Sequence, residues 1–461
     1  MKKILITVAA LALISNAAIA QKQTPPAGGT PKGFTLPAKN TRALPNGMKA
    51  TLVQFGAVPK VNISLIIKTG NVHEAANQVW LADLTGNLLK EGSTTMNLKT
   101  IAKKVAAMGG EINVNTAMDQ VTITGSVLSE FAGDLIAIMS DVVMNPAFPA
   151  SEIDRLKSDL KRQLAVQKQQ PSQQASEKFF QIIYPDHAYG RYFPTEEMLN
   201  SYTVEMVKEF YSKNFGAKRS VIYVAGKFDE AKVSAAIDKA FTNWAAGPEV
   251  SYPPATQKKT NEVAQIDRKG APQTTVIVGL PTLTPKDQDF VALQVTNTLL
   301  GGAFGSRITR NIREDKGYTY SPFSTIQNRK GVSVWYEQAD VTTEHTGASL
   351  TEIAKEINKL QKEVPSTEEA EGIKKYMAGT FVLQNSSSGG IINQLNFLDL
   401  HGLDDAYLTD RVKNIYAVTP EKMSQMAKDY LKYEDMTLVL VGDKKEIEKQ
   451  KKALEDARKL R

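Results

Sequence analysis

Asp83 and Asn87 stand four residues apart in the stretch Trp80 to Gly92, WLADLTGNLLKEG. On a helix that spacing places two side chains on one face, where they can share a single metal ion. A carboxylate and an amide without an imidazole hold zinc weakly. A zinc that activates water needs three protein ligands, an open coordination position and a neighbouring carboxylate to take the proton. Only four His occur, at positions 73, 187, 345 and 401, and no two have ligand spacing. His73, beside Glu74, and His187, in a Pro-Asp-His loop, read as surface residues rather than ligands. Zero Cys removes thiolate metal sites, thiol nucleophiles and disulfides together.

A second chemical stretch is Leu299 to Tyr320, LLGGAFGSRITRNIREDKGYTY. Gly301, Gly302 and Gly305 make a turn in which backbone can approach closely, and Ser306 or Arg307 starts a helix through Arg313. It is no phosphate loop, because G-x-x-x-x-G-K-[ST] is absent. Ser386-Ser-Ser-Gly-Gly390 lacks the strand-to-helix setting of a nucleophilic serine and reads as a loop.

The elements that must position these residues follow from periodicity. Trp80, Leu81, Leu84, Leu88 and Leu89 recur at helical spacing, so 80–91 is an amphipathic helix with one stripe in a core. Leu44-Pro-Asn-Gly-Met48 sets an Asn-Gly turn before a strand at Lys49 to Gln54, with Val61 to Lys68 expected as its neighbour. Helices are read at Leu98 to Met108, Leu128 to Met144, Pro149 to Lys168 and Val204 to Asn214. Strands are read at Glu111 to Asn115, Gln120 to Leu128 and Ser220 to Gly226. The proline-rich segment after Gly247 has no period and reads as a linker.

Beyond it the pattern starts again. Pro149 and Pro365, Thr203 and Thr419, and Gly226 and Gly442 occupy matching contexts, each pair separated by 216 residues. Three matches in one register indicate two copies of one unit. The expected class is α+β: two homologous domains, each a mainly antiparallel sheet with helices packed on one face. Residues 42–246 form the first and 263–461 the second, joined by a linker at 247–262.

At 461 residues, 42% hydrophobic and 23% charged, the chain can build full cores in both. Met1 to Ala20, with Lys2, Lys3, a short apolar run and Ala18-Ile-Ala20, reads as a cleavable secretory signal, followed by an extended tether at 21–41. An exported, periplasmic or secreted protein is expected, without stable membrane insertion. Losing Lys2 and Lys3 takes the formal charge from +7 to +5, spread rather than clustered, which argues against nucleic-acid binding.

The strand ending VNISLIIKTGN, the helix, Leu88-Leu89 and Gly92-Ser93 together resemble the zinc-binding segment of the insulinase-like (pitrilysin, M16) metallopeptidases. That helix carries H-x-x-E-H shortly before a Gly-Thr or Gly-Ser. Setting Gly92 on that glycine puts Asp83 at the first His, Gly86 at the catalytic Glu and Asn87 at the second His; none of the three is retained. The family's third ligand, a Glu on the next long helix, falls near Asp154 to Gln163, where Asp159 is the convincing acid. Leu299 to Tyr320 resembles the family's second-domain signature, in which an Arg and a Tyr seven residues on reach the substrate. Carried over, these are Arg313 and Tyr320. A guanidinium fork suits a peptide carbonyl, and a phenol suits a developing oxyanion. The other reading of the pair is a locally ion-paired Arg313 and a core Tyr320. The Leu44 turn, Tyr184 to Gly190 and Gly402 to Asp443 extend the likeness over nearly the whole chain.

The resemblance implies a zinc-less, non-catalytic subunit of a heterodimeric exported peptidase, inactive alone. It would lend Arg313 and Tyr320 to a partner that carries intact H-x-x-E-H and the zinc, with peptides as substrates and no cofactor or metal of its own. The alternative is a non-enzymatic peptide-binding or assembly module of the same fold. An active enzyme with unusual ligands would require tightly bound metal in the lone chain.

Overall fold

The computed structural model describes residues 33–459; the expected signal (1–20) and residues 21–32 of the expected tether lie outside the described residues. β1 (Lys39–Ala43) begins within the stretch expected as tether, so residues 39–41 are strand rather than linker. The Asn46-Gly47 turn joins it to β2 (Lys49–Gln54). Gly47 sits at φ 91°, a left-handed conformation that glycine adopts without a Cβ clash, and the Leu44 N–H donates to the Met48 carbonyl at 2.8 Å.

β3 (Lys60–Ile67), β4 (Glu111–Thr116), β5 (Val121–Leu128) and β6 (Ser220–Gly226) complete a six-stranded sheet in the order β1-β2-β6-β3-β5-β4. The expected β2–β3 pairing is corrected: β6 lies between them, parallel to β2 and antiparallel to β3. Its run SVIYVAG is buried throughout, as a strand covered on both faces must be.

The longer helices of this half are α1 (Leu81–Lys90), α2 (Leu98–Ala107), α3 (Ala132–Met144), α4 (Ile153–Gln169), α5 (Pro171–Ile183), α6 (Val204–Asn214) and α7 (Glu230–Phe241). Leu81, Leu84 and Leu88 of α1 join Ile63, Leu65 and Ile67 of β3 and Leu135 of α3 in one core on one sheet face. Each such side chain contributes roughly 1.5–3 kcal/mol by leaving water.

After residues 247–262, which form neither helix nor strand, the second sheet is built from β7 (Val263–Asp267), β8 (Gln273–Thr282), β9 (Phe323–Arg329), β10 (Val332–Thr342) and β11 (Thr437–Gly442). Its order, β7-β11-β8-β10-β9, repeats the first sheet without an equivalent of β1, and again holds one parallel pair, β7 with β11. Its longer helices include α8 (Phe290–Asn297), α9 (Thr309–Asp315), α10 (Thr346–Lys362), α11 (Thr367–Gln384), α12 (Ser388–His401) and α13 (Pro420–Tyr430). Thr203 caps α6 through the Met206 N–H and Thr419 caps α13 through the Lys422 N–H, so the repeat extends to the capping hydrogen bonds.

The halves exchange one helix each. Phe179, Phe180 and Ile183 of α5 pack on Ile277, Val334, Val439 and Val441 of the second sheet. Ile391, Ile392 and Leu395 of α12 pack on Ile66, Val221, Tyr223 and Ala225 of the first. Each sheet therefore carries its own helices on one face and a single helix of the other half on the second face.

The expectation that His73 and His187 are surface residues is also corrected. His73 is half-buried and His187 buried, because the linker folds over both: His73 Nε2 bonds the Ser251 carbonyl at 2.7 Å and His187 Nε2 the Pro253 carbonyl at 3.2 Å.

Candidate functional site

α1 starts at an unusual place. Trp80, just before it, has φ 70°, rare for a non-glycine residue, and no side-chain cap. The missing cap is supplied from a distance: Glu74 Oε1 accepts the Ala82 N–H at 2.8 Å. Asn71 Nδ2 then bridges two acids, donating to Glu74 Oε1 at 3.1 Å and to Asp83 Oδ2 at 2.6 Å. Burial, reinforced by the neighbouring Asp83, pushes the Glu74 carboxyl well above the usual carboxylate range. Asp83 keeps an edge toward solvent but is densely surrounded, and burial pushes it up to about 6.

The three positions aligned with H-x-x-E-H are each occupied with something else. Asp83 is held by Asn71. Asn87 Oδ1 accepts the Lys90 ammonium at 3.2 Å, placing a cation where a metal would be repelled. At Gly86 the place of a Cβ is taken by Thr116 Oγ1 of β4, so a glutamate there meets the sheet. Asp159, on α4, bonds Arg155 at 3.2 Å and also Arg162, and Arg155 reaches on to Glu91 and Glu152. Among the described residues no three His, Asp or Glu side chains converge as a metal ion requires. These donors do not fit a catalytic zinc.

The second stretch has a different character. α8 runs into a widened turn, Thr298–Gly302, in which a Cβ at Gly301 would meet Ser324 Oγ and Glu337 Oε2, and one at Gly302 would meet Asn297 Nδ2. Only glycine permits this approach. α9 is likewise widely wound, with the Lys316 N–H reaching the Asn311 carbonyl five residues back, a winding that recurs at functional sites. Thr319 then pairs with Val341, and its Oγ1 donates to the Asp340 carbonyl at 2.7 Å, which anchors the chain and leaves Tyr320 projecting.

The geometry brings Arg313 and Tyr320 together. The Arg313 guanidinium carbon lies 5.1 Å from the Tyr320 ring centre and 4.2 Å from that of Phe304. Tyr320 is 80% exposed and Phe304 69%, so neither belongs to a core, and no carboxylate among the described residues lies within 4.0 Å of the Arg313 nitrogens. The three residues line a cleft of about 300 Å³ with Thr309, Ser321 and Phe323. The sequence reading missed Phe304; its one signal was a large apolar residue inside a glycine-rich turn. It missed Glu74, which caps the helix, and Asn71, which bridges Glu74 to Asp83.

Comparison with known proteins agrees with this architecture. The profile of the insulinase family (peptidase family M16) matches residues 54–193, and that of the peptidase M16 inactive domain matches residues 201–377. A Rickettsia felis protein described as an uncharacterized zinc protease is 26% identical over 71% of this chain and 80% of its own. A peptidase M16 inactive domain from Pseudomonas fluorescens superposes with a TM-score of 0.80 at 22% identity, over 88% of this chain and 98% of that one. The first half of the periplasmic protease PqqL from Escherichia coli gives 0.73 at 15% identity, over 93% and 97%. The chain belongs to the insulinase-like M16 peptidase family. Among the described residues no helix is long and apolar enough to cross a membrane.

Proposed function

We propose that this chain is the non-catalytic, substrate-binding subunit of an exported two-chain zinc peptidase. It lends Arg313 and Tyr320 to an active site whose zinc and H-x-x-E-H motif reside on a partner subunit. The observation that carries the reading is the contrast between the two stretches. Asp83 and Asn87 are held by hydrogen bonds within the chain, and Thr116 Oγ1 stands where a Cβ at Gly86 would go. Arg313 and Tyr320 stand side by side in an open cleft with their donors directed to no carboxylate among the described residues. An exposed phenol beside a guanidinium can donate to a peptide carbonyl and to the oxyanion formed from it. The match to an M16 inactive domain supports the same reading.

The test is reconstitution with an M16 subunit of the same organism that carries intact H-x-x-E-H. Peptidase activity should need both chains, and Arg313→Ala with Tyr320→Phe should lower it by about a hundredfold or more while the chains still associate. Activity unchanged by the double substitution would favour a scaffold or assembly role for the fold instead.

A further inference from the structure

Three arginines fall within the Arg307 to Asp315 segment, and two of them have hydrogen-bond acceptors inside the chain. Arg307 Nε and Nη2 form a two-bond fork with Glu369 Oε1 and Oε2, each at 2.7 Å. Arg310 Nη2 donates to the Gly305 carbonyl at 3.3 Å. The Arg313 side chain has no acceptor among the described residues. Its contacts are the faces of Phe304 and Tyr320. Aromatic faces hold a guanidinium plane and shield it from water, but they accept none of its in-plane N–H bonds. The fork is therefore held in place with its donors open.

The surroundings leave its charge uncompensated. The other residues lining the cleft are uncharged: glycines, Ala303, Thr309, Ser321, Pro322 and aromatic rings. Glu314 and Asp315 follow Arg313 in the chain but do not line this cleft, and Asp315 faces a separate one with Arg307 and Glu369. Glu337 is buried behind Gly301 rather than in the cleft, and burial pushes its carboxyl well above the usual carboxylate range.

We propose that the Arg313 cleft recognises a carboxylate on the bound peptide, either its free C-terminus or an acidic side chain, through a two-bond fork. This rests on the reading that Arg313 meets peptide, and it narrows the class of peptide. A planar fork with open donors and hydrophobic sides matches carboxylate geometry better than that of a single carbonyl. Ser321 supplies a hydroxyl at the rim of the same cleft.

The experiment uses the full chain and short peptides of alternating Ala and Leu with an N-terminal fluorescein, followed by anisotropy. One set has a free or an amidated C-terminus; the other is amidated and carries an internal Glu or Gln. Removing the recognised carboxylate should weaken binding about ten- to a hundredfold. Arg313→Gln should abolish that discrimination, and Arg313→Lys, which keeps the charge without the planar fork, should retain only part of it. Loss confined to the amidated peptide assigns the site to C-termini, and loss confined to the Gln peptide assigns it to side chains. Equal binding of all four peptides that still depends on Arg313 overturns the carboxylate inference and leaves the substrate-binding role standing. Equal binding to wild type and Arg313→Gln, or no binding of any peptide, overturns the inference, and the first of these also removes Arg313 from the proposed function. Arg310→Gln, outside the cleft, controls for loss of charge, and thermal unfolding of each variant controls for loss of fold.

Discussion

Gln120 and Asn396 bond each other twice across the junction of the two halves, each side-chain amide donating to the other's carbonyl at 2.9 Å. Gln120 is buried and Asn396 half-buried, so removing either partner leaves the other amide without these bonds. Gln120→Ala should cost about 1–3 kcal/mol in chemical denaturation, Asn396→Ala a similar amount, and the double variant less than the sum. Strict additivity would show that the pair is not coupled. The nearby Lys68–Asp399 ion pair, at 2.6 Å, should be left intact.

Restoring the zinc motif should fail at Gly86. Asp83→His, Gly86→Glu and Asn87→His together rebuild the ligand helix, yet the Thr116 hydroxyl occupies the place of the new Cβ. Overpacking of this kind costs about 1–3 kcal/mol. The graft should lower the melting temperature, and Thr116→Ala in the same background should recover part of it. Elemental analysis showing stoichiometric zinc in the graft with Thr116 retained would contradict the steric argument.

Asp83 gives a pH dependence of defined sign. Its carboxyl titrates near 6 in the folded chain against 3.8 as its ordinary value, so between those values the folded state binds more protons than the unfolded one. Stability from this group is lost as pH rises through that window and recovered as pH falls. Asp83→Asn keeps an acceptor for Asn71 and removes the titration. The wild-type minus variant stability should change by about 2 kcal/mol from pH 4 to 7, becoming less favourable to wild type at the higher pH. A flat difference curve would refute the shift. Glu74 is pushed in the same direction by burial and in part by Asp83, so relieving that push in the variant adds to the difference with the same sign.

The linker should loosen in acid. His73 accepts the Gly70 N–H through Nδ1 at 3.2 Å and His187 accepts the Tyr189 N–H at 3.2 Å, while their Nε2 atoms bond linker carbonyls. Protonation would set a second N–H against those backbone N–H groups. Burial lowers both pKa values from 6.5, helped by Arg219 at His73 and Arg191 at His187 and opposed at His187 by Asp119. Their contribution is present above 6.5 and lost as pH falls below it. Limited proteolysis within 247–262 should accelerate in that range, and His73→Gln with His187→Gln should flatten the response. Equal acceleration in the double variant would show that the histidines are not the cause.

Local chemistry was legible wherever it was decided locally. Lys49 to Gln54, Val204 to Asn214 and Ser220 to Gly226 were read at their observed boundaries because a turn, a threonine cap or an apolar run marks each end. The adjacency of β2 and β3 was misread because the strand that separates them comes more than 150 residues later, and no local signal announces a parallel insertion. α5 and α7 were not anticipated. The packing surface of α5 is a sheet from the other half, so its stripe has no partner nearby in sequence. At the site, the absence of imidazoles at residues 83 and 87 was plain in the sequence. The Thr116 hydroxyl against Gly86 and the two rings around Arg313 exist only after folding.

The reciprocal exchange of α5 and α12 sets an order on assembly during synthesis. When the ribosome has made everything up to Gly226, the six strands of the first sheet can align, but one side of the sheet, with Ile66, Val221 and Tyr223, still awaits Ile391, Ile392 and Leu395. That sticky face stays open until most of the remaining polypeptide has been translated. A nascent chain stalled at the linker therefore exposes that face to water, and a gene cut there would leave each fragment with one sheet face uncovered.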